Sequence, residues 1–304
     1  MITDYQRKKL KDEISRLAPS EGVHETPIGG VRVSRCSQCV ERTPMVYEPG
    51  IVILASGRKR GYIGGQICEY SPDTYLVLSS TLPWEVEIMD ANENDPCLGM
   101  FIPVDSALIR SVSLSLDSLK NDIRPASRSG FPSSIIATQM DNRIRDAAIR
   151  LLEMLKDPVD AEILGPQIVK EIVYQILKGP QAEMLRSLCG RDSMSARIHR
   201  ILSDLNKNPE RAISVPDLAA EAGMSVSAFH AAFKETTSMA PIQYQKAIRL
   251  HRAQILIVSE GLRVSEAAFE VGYTSPSQFS RDFRKLFGFP PSVTLEQVPE
   301  FYRQ

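Results

Sequence analysis

Two short stretches carry side chains whose types and spacing suit contact with a double helix. In the first, Ser275-Pro276-Ser277-Gln278 is followed by Phe279, Ser280, Arg281 and Arg284. A serine at a helix N-cap accepts from a free N–H of the first turn, proline at the next position has no N–H to lose, and Gln278 sits where it can reach back. Arg281 then presents two donors in one plane, the geometry that matches guanine O6 and N7. A phosphate contact, or an ion pair with Asp282 or another carboxylate, is the plainer alternative for the same residue. The second stretch, Ser225, Val226, Ser227, His230, Ala231 and Lys234, has the same layout with smaller side chains. His230 either donates to a base or phosphate or simply lies on the surface.

These stretches are copies of one pattern. Leu218-Ala219, Gly223, Phe229 and Phe233-Lys234 return as Ala267-Ala268, Gly272, Phe279 and Phe283-Arg284, offset by 49 positions up to the glycine and by 50 from Ser225/Ser275 onward. A short helix, a glycine turn and a second helix are therefore written twice. Such a unit pushes the start of its second helix into a major groove, so two copies imply two consecutive grooves of one duplex. Phe229, Phe233, Phe279 and Phe283, four apart in each copy, belong on the inward face. Ser225 is the expected N-cap of the first of these second helices, and Ser214 opens the helix before it. Between the copies, Pro241 to Ser259 reads as one helix of 19 residues, about 28 Å long. That length holds the two probes close to the ~34 Å between successive major-groove turns.

Composition limits what surrounds this unit. A chain of 304 residues with 43% apolar content suits two domains, each with a core. No apolar run reaches the ~18 residues of a membrane helix, and Met1 to Leu17 is charged, an exposed helix rather than a signal peptide. A soluble, cytoplasmic protein with no membrane partner is expected. The net charge of −1 excludes binding by bulk attraction to nucleic acid. Residues 201–290 hold ten Lys/Arg against nine Asp/Glu, so contacts must be local, as where Arg281, Arg284 and Lys285 face only Asp282. The five cysteines, Cys36, Cys39, Cys68, Cys97 and Cys189, are sparse and odd in number, which favours free thiols over a disulfide framework.

From about Gly22 to Pro103 the pattern changes to short β runs: Val31–Ser34, Met45–Tyr47, Ile51–Leu54, Tyr62–Ile63, Gln66–Tyr70, Tyr75–Leu78 and Trp84–Ile88. Gly64-Gly65 between two of them is a hairpin turn, because only glycine takes positive φ at both central positions without cost. Many short strands with Pro and Gly breaks point to a barrel or jelly roll that can hold a small ligand. Its effector-binding candidates are Arg58, Lys59 and Arg60 for an acidic group, Tyr47, Tyr62, Tyr75 and Trp84 as walls, and Cys68 as a thiol. A solvated strand end is the plainer reading of the basic run. Pro103 to Pro132 is Ser- and Asp-rich and reads as a loop ending at Arg124 to Pro132. Helical stripes follow: Ile144, Ala147, Ala148, Leu151, Leu152 and Leu155, then Ile168, Val169, Ile172, Val173, Ile176 and Leu177 within Pro166 to Leu177. Either they pack within the chain or they form a dimer interface.

The C-terminal hundred residues resemble the AraC/XylS family of bacterial transcription regulators, through Gly223-Met-Ser-Val-Ser-Ala-Phe-His230, Pro241 to Leu250, Val271 to Arg281 and Phe287-Gly-Phe-Pro-Pro291. Glu25 to Ile28, Val46 to Pro49 and Gly57 to Arg60 also resemble one N-terminal, cupin-like branch of it. The resemblance implies an α+β multidomain fold: a cupin-like effector-sensing β barrel (1–125), a helical linker and dimerisation region (126–190) and an all-α double helix-turn-helix DNA-binding domain (191–304). It implies promoter DNA, RNA polymerase, an unidentified small effector and a second copy of the chain as partners, with no cofactor and no catalysis. The branch carries larger or basic residues where Ala231 and Ala232 stand, so the first probe is expected to position phosphates and touch thymine methyls.

Two alternatives stand beside this reading. The first is a thiol- or metal-responsive regulator acting through Cys36/Cys39, with Cys68 and Cys97 completing a thiolate set. The second is a cupin enzyme fused to a DNA module. Catalytic cupin metals need several histidines, and His24 is the single histidine before residue 190.

Overall fold

A computed structural model describes residues 4–118, 135–187 and 194–298. The expected crossing from Arg124 to Pro132, and Cys189, lie outside them.

The chain opens with α1 (Asp4–Leu17), then β1 (Gly22–Glu25), β2 (Arg32–Cys36), β3 (Val40–Tyr47), β4 (Gly50–Ser56), β5 (Lys59–Ile63), β6 (Gln66–Tyr70), β7 (Thr74–Leu78), β8 (Leu82–Ile88) and β9 (Cys97–Pro103). Next come α2 (Ser106–Asp117), β10 (Ile135–Gln139), α3 (Asn142–Met154), α4 (Pro158–Leu177) and α5 (Ala182–Ser187). The strands form two antiparallel sheets, ordered β1-β2-β9-β4-β7-β10 and β3-β8-β5-β6.

Strand alternation assigns each face of the larger sheet to a different core. Ile51, Ile53, Tyr75 and Val77 face α1 to α5 in one cluster, while Val52, Leu54, Leu76 and Leu78 join Trp84, Val86 and Ile88 of the smaller sheet in a second. The turn between β5 and β6 is the expected two-glycine hairpin, with Gly64 at φ 56° and Gly65 at φ 79° between the paired residues Ile63 and Gln66.

Four expectations change. Helix α1 is not simply exposed, because beside its charged residues Leu10 and Ile14 form a buried stripe in the core of the larger sheet. The stretch after Pro103 is not all loop: Asp105 caps α2, its side chain accepting from the Ala107 N–H, and Ile109, Val112 and Leu116 make a buried helical stripe. Helix α4 begins eight residues before the expected Pro166 and runs through it, capped by Asp157 with Pro158 in its first turn. The stripes considered for dimerisation are spent inside the chain, because Ala147, Leu151, Ile172 and Ile176 are buried with the larger sheet in one core.

The C-terminal part is helical: α6 (Met194–Lys207), α7 (Val215–Glu221), α8 (Val226–Thr237), α9 (Pro241–Ser259), α10 (Val264–Glu270) and α11 (Pro276–Phe287). It contains two separate cores, one around Phe229, Phe233 and Tyr244, the other around Phe279, Phe283 and Phe287. Helix α9 runs through both. The first core rests on the β-domain: Val46 packs against it, the Tyr244 hydroxyl donates to the Thr81 carbonyl at 2.8 Å, and Ser79 Oγ lies 3.2 Å from His199 Nε2.

Candidate DNA interface and effector cavity

Local rules build both probes. Ser225 Oγ accepts from Ala228 N–H and Ser275 Oγ from Gln278 N–H, each at 3.3 Å, so α8 and α11 start where the sequence placed them. Ser214 occupies the N-cap of α7 without a side-chain bond to the helix, so proline alone marks that start. The four repeat phenylalanines are fully buried. Opposite them, Val226, Ser227, His230, Ala231 and Lys234 are exposed on α8, as are Ser277, Gln278, Arg281 and Arg284 on α11. Ser225 is exposed, whereas Ser275, Pro276 and Ser280 are half-buried.

Asp282 is held by Lys246 at 3.1 Å and by the Tyr273 hydroxyl at 3.4 Å rather than by Arg281. Asp282 is therefore not the partner of Arg281. Arg249 fixes the two units relative to one another, donating to the carbonyls of Pro209 at 2.7 Å, Glu210 at 3.0 Å and Gly272 at 3.2 Å. Sequence reading missed this residue. A lone arginine in a helix carries no local sign of the loops it will meet.

A cavity of ≈ 920 Å³ opens between the β-domain and the helices. Val52, Leu54, Tyr47, Lys59 and Phe101 line it from the strands, and Ile248, His251, Ile255, Phe287 and Phe289 from α9, α11 and beyond. Lys59 is 4% exposed; burial works against its ammonium, yet Tyr47 beside it, with Cys97 and Cys36 nearby, leaves its pKa raised. Arg32 stacks over Phe101 at 4.6 Å near the same opening.

Of the effector candidates, Tyr47 and Lys59 line this cavity. Trp84 lies just behind, edge-on to Tyr47 with ring centroids 5.2 Å apart, and Cys68 is buried in the same intersheet core. The other four are corrections, and the reason is the period-two alternation of strands. Arg58 and Arg60 point outward to Asp90 and Glu69, and Tyr62 donates to Glu87 at 2.5 Å on that outer face. Tyr75 faces the helical layer, where its hydroxyl donates to Gln181 at 2.5 Å. The helix residues facing the cavity were missed because α9 was read only as a spacer.

The thiol reading finds no geometry to support it. Cys36 is buried and donates to the Gln38 carbonyl, whereas Cys39 is exposed and donates to Met89, so the two diverge. Burial pushes the Cys68 and Cys97 thiols up to about 11, which keeps them protonated and weakly nucleophilic at neutral pH. Among the described residues, no three His, Cys, Asp or Glu side chains gather to hold a metal. No described helix is long and apolar enough to cross a membrane.

Residues 27–184 match the family described as the AraC-type transcriptional regulator N-terminus, and residues 218–297 match a helix-turn-helix domain. The chain belongs to the AraC-type regulator family. Its relatives include a probable transcriptional regulator, LumQ, of Photobacterium leiognathi, 30% identical over 50% of this chain and 60% of that one. They also include the transcriptional activator RhaS of Escherichia fergusonii, 28% identical over 50% of this chain and 55% of that one. The match thus spans little more than half the length of these relatives. In fold, this family member is similar to ToxT of Vibrio cholerae bound to an unsaturated fatty acid, with a TM-score of 0.59 at 11% identity over 88% of this chain and 94% of that one.

Proposed function

We propose that this chain is a cytoplasmic, non-catalytic transcription regulator that binds promoter DNA sequence-specifically through α8 and α11 and acts on RNA polymerase there. The observation that carries this reading is the doubled probe, two capped helix starts with exposed polar faces, joined by one rigid helix. Selection of duplexes from a randomised library by the full-length protein tests it. Arg281→Ala is expected to relax discrimination at one or two positions of the enriched site, costing ~1–3 kcal/mol. An equal loss on every sequence would make Arg281 a phosphate contact, and failure to enrich any duplex would sink the reading.

The cavity is the proposed effector site, with Lys59 and Tyr47 as its polar floor. A buried ammonium among apolar walls suits a carboxylate with an apolar body, the class of the fatty acid bound by ToxT. Decanoate is expected to raise the melting temperature, and methyl decanoate to do so at least tenfold less effectively by concentration, since a ligand of the native state stabilises by mass action. In Lys59→Met the acid should lose that advantage. Equal potency of acid and ester on the wild type would rule out this class.

The proposed homodimer uses the outward face of α4 in place of the stripes first considered. Val159 and Ile163, each 63% exposed, and Tyr174, 36% exposed, continue one row along that helix. An antiparallel copy sets Val159 near Tyr174 and brings Glu162 to Lys170, so the face complements itself in shape and charge. Ile163→Glu should turn a dimer into a monomer at micromolar concentration by sedimentation equilibrium. A wild type that is monomeric there, or a variant that stays dimeric, refutes this interface.

A further inference from the structure

The tip of the β5–β6 hairpin meets the C-terminal end of α8. A Cβ added at Gly64 would stand 2.6 Å from both Cβ and Oγ of Ser238, so the hairpin backbone abuts the Ser238 side chain. Ser238 is the C-cap of α8 and has φ 60°, the left-handed region that favours glycine. Among the described residues it is the single non-glycine with positive φ.

The repeat supplies its own comparison. Fifty positions later the equivalent cap of α11 is Gly288, at φ 85°, with nothing within 4 Å of where its Cβ would be. Where the cap is open to its surroundings, the chain uses the residue that fits the backbone. Where the cap touches the β-domain, it keeps a side chain in a disfavoured conformation, and the opposing hairpin supplies the glycine that makes room.

The same strand reaches the cavity. Lys59, which lines it, begins β5, and the strand ends at Ile63, next to the hairpin tip. Five residues therefore join the cavity floor to the α8 cap, in a strand held on both sides by pairing with β6 and β8. On α8 the exposed face carries the small Val226, Ser227 and Ala231 beside His230 and Lys234.

We propose that the Gly64–Ser238 contact is the coupling point of the molecule: seated, it holds the first DNA-reading unit against the β-domain, and released, it lets α8 engage its half of the site. Gly64 and Ser238 are positioning residues. They touch neither DNA nor effector. The ligand side of this coupling rests on the effector reading above, whereas the contact itself is testable without any ligand.

The test uses the full chain carrying Gly64→Ala. The added methyl would stand 2.6 Å from both Cβ and Oγ of Ser238, so the contact cannot stay seated. Binding is measured to the duplex enriched by wild-type protein. Gly64→Ala is expected to bind 5- to 150-fold more tightly than wild type, the usual span of allosteric coupling. The gain should fall on the base positions read by α8 and spare those read by α11.

Ser238→Gly is the second variant. It suits the left-handed cap and removes the atoms that meet Gly64, so it should bind at least fivefold more tightly than wild type with no drop in melting temperature. A Gly64→Ala protein or a Ser238→Gly protein that matches wild type on DNA overturns the proposal. Failure of decanoate to bind would leave these outcomes unaffected, so the two ideas fail separately.

Discussion

Phe279→Ala is expected to unfold the second DNA-reading unit, at a cost of about 3–5 kcal/mol. Phe279 has no exposed surface, and its ring lies 5.3 Å from Tyr273 and 5.5 Å from Phe283. Phe283 in turn stands 4.4 Å from Phe287, so the chain of rings is the centre of that core. Removing one ring deletes burial and leaves a cavity that its stiff aromatic neighbours cannot close. The first unit has a core of its own around Phe229 and Phe233, so denaturant unfolding should split into two steps. The early step belongs to α10 and α11. Sequence-specific binding disappears with it, while the β-domain keeps its near-ultraviolet circular dichroism. A single unshifted transition would show that Phe279 does not hold the second core together.

Acid is expected to destabilise the protein through His251. Its imidazole is buried, lies edge-on to Phe287 at 5.0 Å, and has its pKa lowered by burial to about 3. In the unfolded chain the same group titrates near ~6.5. Below that value the unfolded state binds a proton that the folded state refuses, so stability is full above pH ~6.5 and falls progressively toward pH ~3. By pH 4 the loss from this group reaches about 3 kcal/mol. Urea unfolding of wild type and His251→Leu from pH 7 to pH 4 isolates it, because the carboxylates titrate alike in both. The variant should lose about 3 kcal/mol less over that range, and parallel curves would mean that the folded imidazole takes up its proton.

What could be read from the sequence follows from how local the causes are. The two probes were legible because a serine cap, a following proline and phenylalanines four apart act within one helix. The Gly64-Gly65 turn was legible for the same reason. Its contact with Ser238 was not, since nothing near either residue encodes the other. The cavity was half-legible: Lys59 and Arg60 are neighbours of like chemistry, and only the pleat phase set by pairing Lys59 with Ile88 sends one inward and the other to Glu69. A helical stripe likewise reports that a face is apolar and not what covers it. The stripe on α4 was spent on the larger sheet, and the helix carries further apolar residues on its opposite face.

Helix α9 is shared by two cores that are otherwise separate. Each residue inserted into or deleted from it would move the second probe by ~1.5 Å and also swing it by ~100°, off the face of the duplex that the first one addresses. In the proposed binding mode, half-site spacing therefore cannot change by single residues of this helix. The bases under either probe could be exchanged, but the gap between them would be set by the pitch of one α-helix.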